Sequence, residues 1–341
     1  MKPLRIATYN VEWFNALFDE HGRLLEDANW SARYHVTRAQ QLAALGIVFA
    51  ALDADAVMIV EAPDNTPQRR TVAMLEAFAA RYKLRCRKGL LGFGNGTQQE
   101  IAMLYDPDVL TLSHDPQGGG DGQAPRFDQG FPLDLDHDGK PDLIAFNKPP
   151  LEVAARTAGG VPFRMIGVHA KSKAPHGATT PEQMQRIAIE NRKKQLAECQ
   201  WVRQRVLDLF KTHDSVIVMG DLNDGPGLDE YEKLFGRSGV EELLGWDAPP
   251  DLQLFDPHAY VVFGKRLAAA PTTARFYLDR EKRYFSALLD YMMVSPDLRA
   301  KAPVWRIWHP FDDLNCYQTL LLREALLLAS DHFPVSIDLP L

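Results

Sequence analysis

The sequence predicts a layered α/β (α+β) fold: two packed sheets flanked by helices, in one domain spanning residues 1–341. Three observations point there. Runs such as Ala56-Val57-Met58-Ile59-Val60 and Val216-Ile217-Val218-Met219 are apolar at every position, as in strands covered on both faces. Segments with helical spacing lie between such runs. Other strand-like runs follow one another directly, so hairpin returns mix with helical crossovers.

Residues 4–11 read as the first strand. Residues 36–52, rich in Ala, Leu and Gln, carry an amphipathic helical pattern. Residues 55–61 form a buried strand. Residues 71–82 form a second helix with Met74, Leu75 and Phe78 on one face. Strands are expected at 84–87 and 101–105, the latter closed by the turn Asp106-Pro107. A loop excursion is expected at about 113–142, because Gly118-Gly119-Gly120 and several Asp and Pro residues interrupt any period. A strand at 163–170 precedes the longest helical pattern, 181–210, where Pro181 suits the first turn and Thr180 the cap. Further strands are expected at 215–219, 287–294, 303–308 and 333–339. No internal repeat is visible.

Composition is that of a globular chain, with 46% hydrophobic and 24% charged residues. No apolar run reaches the roughly 20 residues that span a bilayer. The first residues lead straight into a strand with no signal-like apolar core, so a cytoplasmic setting is expected. Cys86, Cys199 and Cys316 are too scattered for a disulfide framework or a zinc spacing. The net charge is −7. A protein that coats nucleic acid draws its affinity from phosphate neutralisation and carries a basic surplus. The acidic balance argues against that class and leaves room for an enzyme that meets phosphate through a bound cation.

Polar residues gather at the ends of the apolar runs. Val216 to Met219 is followed by Gly220-Asp221-Leu222-Asn223. Similar words are Thr8-Tyr9-Asn10-Val11-Glu12, Val60-Glu61-Ala62-Pro63 and Val168-His169-Ala170-Lys171. Leu289-Asp290-Tyr291 and Ser330-Asp331-His332 complete the set. Strand ends are where layered folds place their chemistry. Each word also has a plain reading. Asn10 and Asp221-Leu222-Asn223-Asp224-Gly225 could be turns, Glu61 a solvated strand end, His169 a core histidine, and Ser330-Asp331 a helix cap.

In this order, over residues 10–332, the words resemble the endonuclease/exonuclease/phosphatase superfamily, the group of deoxyribonuclease I. The resemblance implies a four-layer αββα sandwich with its site at one edge of the paired sheets. It also implies a hydrolase of phosphoric esters. The chemistry is coherent on its own terms, because phosphoester hydrolysis needs a positioned water, neutralised phosphoryl oxygens and help for the leaving oxygen. Hard oxygen ligands favour Mg²⁺ or Mn²⁺ over zinc. Glu61, with Asn10 beside it, is the expected metal ligand.

By the resemblance, Asp331 or Asp290 joins the ligand set and Glu12 acts behind it. Asp221 orients or deprotonates the attacking water, and Asn223 fixes its position. His332 sits on the phosphoryl oxygens as a cation favoured by Asp331, and His169 is a second phosphoryl contact or the general acid. The sequence departs from the family where Lys148-Pro149 stands for an Arg-Pro pair. Lys148 and Lys171 are therefore weaker candidates for phosphate contact.

Three stretches have separate readings. Asp134, Asp136, Asp138 and Asp142 resemble a calcium loop, but Ala145 stands where that loop needs Glu, so structural Ca²⁺ and an acidic turn are equal alternatives. The basic residues of 181–210, among them Arg186, Arg192, Arg203 and Arg205, suit a solvated face, with a phosphate path as the alternative. Trp13, Phe14 and Trp30 suit either a wall that stacks a base or the core. The expected activity is a metal-dependent phosphodiesterase or nuclease, with phosphoester or nucleic acid as partner and no obligate protein partner. The alternatives are a phosphomonoesterase, a lipid head-group diesterase, and a non-catalytic binding module.

Overall fold

The computed structural model describes residues 2–341 except 121, 135–138, 226–231, 265–269 and 279–281. Its strands are β1 (Leu4–Asn10), β2 (Ala56–Ala62), β3 (Lys88–Leu91), β4 (Glu100–Tyr105), β5 (Leu110–His114), β6 (Phe131–Leu133), β7 (Asp142–Ile144), β8 (Leu151–Thr157) and β9 (Pro162–His169). They continue as β10 (Val216–Asp221), β11 (Ala274–Leu278), β12 (Arg283–Ala287), β13 (Asp290–Val294), β14 (Val304–Ile307) and β15 (Val335–Leu339). One sheet runs β14-β15-β1-β2-β4-β3 and the other β13-β10-β9-β8-β5. Both are mixed: β1 is parallel to β2, and β9 to β10, while the other ladders are antiparallel.

The helices that cover the first sheet are α1 (Arg38–Leu52), α2 (Thr71–Arg81) and one late in the chain (Leu320–Ala329). The long helix Pro181–Lys211 covers the second sheet. Alternation along the strands sorts the side chains into three cores. Ile6, Met58, Met165, Met219 and Met292 meet between the sheets. Tyr9, Val57 and Ile59 face Leu45, Phe49, Phe78 and Leu326 of the first helical layer. Val168, Val218 and Met293 face Trp201, Val202 and Val206 of the second. This is the four-layer αββα arrangement, and it explains why the central strands are apolar at every position. No described helix is long and apolar enough to cross a membrane.

Helix starts follow their local chemistry. Thr37 and Gln40 form a capping box for α1, and Thr180 caps the long helix with Pro181 in its first turn. Several expectations fail. Residues 84–87 precede the ladder, which begins at Lys88↔Tyr105. Strands β5 and β8 were not expected, and the loop excursion holds the hairpin β6–β7. Three arginines of the long helix are neither solvated nor on an open path. Arg192 pairs with buried Asp224, Arg205 lies beside Glu152 at 3.3 Å, and Arg203 donates to Leu252 O. Of the calcium-loop candidates, Asp136 and Asp138 lie outside the described residues. Asp134 accepts from Gly139 N, and Asp142 pairs with Lys193.

Candidate active site

The same alternation that builds the inter-sheet core delivers polar groups to its rim. Asn10 continues the row of Ile6, His169 that of Met165, and Asp221 that of Ile217 and Met219. Asp290 opens the row of Met292 on an antiparallel neighbour. The register then sets three of them side by side, His169↔Asp221↔Asp290. Gly220 makes this rim possible. Its φ is +135°, and a Cβ there would stand 2.0 Å from Val168 O. Glu61 belongs by parity to the opposite face of β2. A register shift between Val60 and Ala62, with Glu61 at φ 62°, breaks that row at Glu61.

Asp221 is the centre. Its Oδ2 accepts from Asn10 Nδ2 at 3.0 Å and Asn223 Nδ2 at 3.2 Å, and its Oδ1 accepts from Asn223 N at 2.7 Å. Two imidazoles converge on the same Oδ2: His169 Nε2 at 3.8 Å and His332 Nε2 at 4.0 Å. Glu61 Oε1 lies 4.0 Å from His169 Nε2. His332 Nδ1 is 2.7 Å from Asp290 Oδ2, which also accepts from Thr273 Oγ1 at 2.8 Å.

The electrostatics divide these groups. Burial pushes Asp221 up to about 7, against the lowering effect of His332 and with the help of Asp290. Burial would depress His332, but Asp290, through charge and hydrogen bond, outweighs it with Asp221 and Asp331 and holds the imidazole well above its usual range. His169 goes the other way: burial first, then Lys148 and His332, keep it well below that range. Lys148 Nζ stands 3.2 Å from each of its ring nitrogens. Burial raises Glu61 and lowers Lys148.

The remaining candidates take defined places. Glu12 pairs with the side chain of Arg33. The backbone N–H of Lys171 donates to buried Glu198 at 2.7 Å. Asp331 does not touch His332 by a hydrogen bond; Asp290 holds that imidazole instead. Ser330 starts no helix. It follows Leu320–Ala329, donates to Asn10 O, and accepts from Glu12 N and His332 N, stitching β1 to the His332 segment. Asp224 anchors the turn below Asn223, accepting from Arg192, Lys173 and Gly239 N.

Thr273, Arg33 and the anchoring role of Asp224 were missed from the sequence. Thr273 and Arg33 lie in stretches without a readable pattern. Asp224 was visible only as part of a turn.

A family model described as the endonuclease/exonuclease/phosphatase family matches residues 7–332. The chain belongs to this family. Membership makes it a hydrolase that cleaves phosphoesters. Enzymes of this family generally use divalent metals, and Asp221, Asp290 and His332, with ligand atoms within 4.8 Å of one another, form a buried group that could hold one. No curated protein matches the chain. Solved structures share the family fold at low identity. TDP2 from Caenorhabditis elegans is 12% identical, with 99% of this chain and 75% of that one covered and a TM-score of 0.50. An AP endonuclease from Archaeoglobus fulgidus is 14% identical, with coverage of 99% and 100% and a TM-score of 0.51. The human Nocturnin catalytic domain with bound sulfate anion is 13% identical, with coverage of 99% and 93% and a TM-score of 0.50.

Proposed function

We propose that this family member is a divalent-metal-dependent phosphodiesterase that attacks phosphorus with a water oriented by Asp221. The observation that carries the reading is the convergence of His169 and His332 on one oxygen of Asp221, at 3.8 and 4.0 Å. These gaps are too long for hydrogen bonds. The three groups are the base and the two imidazoles that an attacking water and a phosphoryl group require at one point.

A metal fits the Glu61 side of this space better than the Asp221–Asp290–His332 group. A cationic His332 offers no lone pair, and Asp290 Oδ2 is already engaged. Asn10 Oδ1 and Asp331 Oδ1 are, like Asp290 Oδ1, buried oxygens without a hydrogen-bond partner among the described residues, and the first two flank Glu61. Asn10 pairs in register with Val60, next to Glu61, and the charge of Asp331 acts on Glu61. We assign Glu61, Asn10 and Asp331 as the residues that would hold Mg²⁺ or Mn²⁺, with Glu12 and Arg33 fixing the edge behind them. Such an ion, when bound, neutralises phosphoryl charge.

The chain's own residues do the rest. Asp221, near 7, takes a proton from water at neutral pH, and the backbone N–H and amide of Asn223 fix its rotamer. His332 presents a cation to the phosphoryl oxygens. His169, which burial and its cationic neighbours keep neutral, contacts the phosphoryl group through its one ring N–H. Lys148 and Lys171 are the candidates to meet further phosphate oxygens. The AP endonuclease among the fold relatives supports a nucleic acid or nucleotide diester as substrate.

Turnover of bis-p-nitrophenyl phosphate and p-nitrophenyl phosphate, with Mg²⁺, with Mn²⁺ and with EDTA, tests the reading. Diester turnover abolished by EDTA is expected. Turnover that survives EDTA removes the metal, and a preference for the monoester replaces the phosphodiesterase with a phosphatase.

A further inference from the structure

Beside Glu61 lies a cavity of about 260 Å³ walled by Trp13, Asn15, Ala32, Thr97, Gln98 and Gln99. Four residues that line it have left-handed backbone without being glycine: Trp13 (φ 58°), Ala32 (φ 72°), Glu61 (φ 62°) and Gln98 (φ 61°). Side chains avoid this region, and such residues collect where a chain must present groups to a ligand. Trp13 turns its backbone N–H to the Glu61 carboxylate and is 48% exposed, whereas the next residue, Phe14, lines the cavity from the core and is fully buried. The sequence left both aromatics open between wall and core; the structure separates them.

The chemistry of the walls is selective. One large aromatic face is offered to solvent. Among the described residues the side-chain amides of Gln98 and Gln99 make no hydrogen bond, and the oxygen of Asn15 accepts from Arg69 and from Asp64 N while its NH₂ has no partner. Among the described residues Glu61 is the one charged side chain lining the cavity. A second phosphate would need cations there, and an acyl chain would cover the amides of Asn15, Gln98 and Gln99 without giving them a partner. A neutral, planar ring with donors and acceptors on its edge fits all three features. The volume lies just below the roughly 300 Å³ at which pockets for whole drug-sized ligands begin, as suits one ring system.

We propose that this cavity is a nucleobase subsite, in which a base attached to the scissile phosphate stacks on Trp13 and is read by Gln98 and Gln99. The proposal rests on the reading of the adjoining Glu61 edge as a phosphoester site, and it narrows the substrate class to nucleotide-bearing esters.

Calorimetry in EDTA buffer, without metal-dependent turnover, separates the two readings. The probes are AMP, UMP, ribose 5-phosphate and phosphocholine. Stacking predicts that the nucleotides bind about tenfold or more tighter than ribose 5-phosphate. Trp13→Ala erases the difference, Trp13→Phe keeps most of it, and Gln98→Gly, which suits the left-handed backbone, lowers it without unfolding the loop. Circular dichroism of each variant confirms the fold. Equal binding of AMP and ribose 5-phosphate, no AMP binding at millimolar concentration, or a preference that survives Trp13→Ala overturns the subsite. So does tighter binding of phosphocholine, which would give the Trp13 face to a cation. Diester turnover with no base preference rejects the cavity alone, and base preference with no turnover rejects the hydrolase reading alone.

Discussion

His332 Nδ1 stands 2.7 Å from Asp290 Oδ2, while Nε2 of the same ring faces Asp221 Oδ2 at 4.0 Å. One imidazole thus bridges two carboxylates that are partners across the β10–β13 ladder. Asp290 keeps the ring charged, and its own charge raises Asp221.

Removing that charge moves both titrations the same way. In Asp290→Asn, His332 loses its proton at lower pH, so the alkaline limb of kcat/KM moves toward acid. Where His332 stays charged, Asp221 loses a repelling neighbour and also ionises at lower pH, so the acid limb, expected near 7 in the native enzyme, moves down as well. A pH–rate profile of the two proteins checks this. Limbs that stay in place would remove Asp290 from the titration.

Thr273 Oγ1 donates to Asp290 Oδ2 and accepts from the backbone N–H groups of Leu289 and Asp290. It fixes the carboxylate that fixes His332. Thr273→Val loses a hydrogen bond to a charged group, worth roughly 1.5–3 kcal/mol in a buried setting. We expect kcat to fall about tenfold or more, with KM for the diester nearly unchanged. A fall in KM affinity alone would place Thr273 with substrate binding instead.

Glu198 is buried beneath the Lys171 backbone, and burial raises it to about 7. The folded state therefore holds a proton that the unfolded chain, ionising near 4.5, has released. Stability is fully present below the unfolded value and declines as pH rises toward the folded one. Glu198→Gln mimics the protonated acid. Its free energy of unfolding should match the native protein near pH 4.5 and exceed it above pH 7, by a margin on the order of a few kcal/mol, with Tm rising accordingly. Equal pH slopes in thermal melts would show that Glu198 stays ionised in the fold.

Gly220→Ala places a Cβ against Val168 O at 2.0 Å on a left-handed backbone. The β9–β10 pairing that aligns His169 with Asp221 cannot absorb this. A loss of at least about 3 kcal/mol is expected in denaturant unfolding. A variant of native stability would contradict the close approach.

Much of the site was legible because its residues sit at the ends of strands whose apolar runs are unmistakable. Asn10, Glu61, His169 and Asp221 each follow such a run, and the fold brings those ends to one edge. The pairings were less legible. Asp331 favours the cationic His332 through its charge, as expected, but the hydrogen bond falls to Asp290, because strand register is a long-range property that local sequence does not carry. Glu61 reads as an ordinary strand end until the β-bulge after Val60 is seen. Short edge elements such as β5 and β6 lacked a pattern long enough to read, since alternation over three to five residues is indistinct. The long helix misled for a physical reason: Arg192, Arg203 and Arg205 look solvated by type, but ion pairs and carbonyls inside the molecule take them up.

Turnover of bis-p-nitrophenyl phosphate by Asp221→Asn, measured as kcat across a Mg²⁺ titration beside the native enzyme and Glu61→Gln, tests the central claim most directly. Asp221→Asn should lose about 10²–10⁴-fold in kcat with its Mg²⁺ half-saturation unchanged, while Glu61→Gln should need far more Mg²⁺ to reach its own maximum. Native kcat in Asp221→Asn, or an unshifted Mg²⁺ requirement in Glu61→Gln, would contradict the assignment of water activation to the one and metal binding to the other.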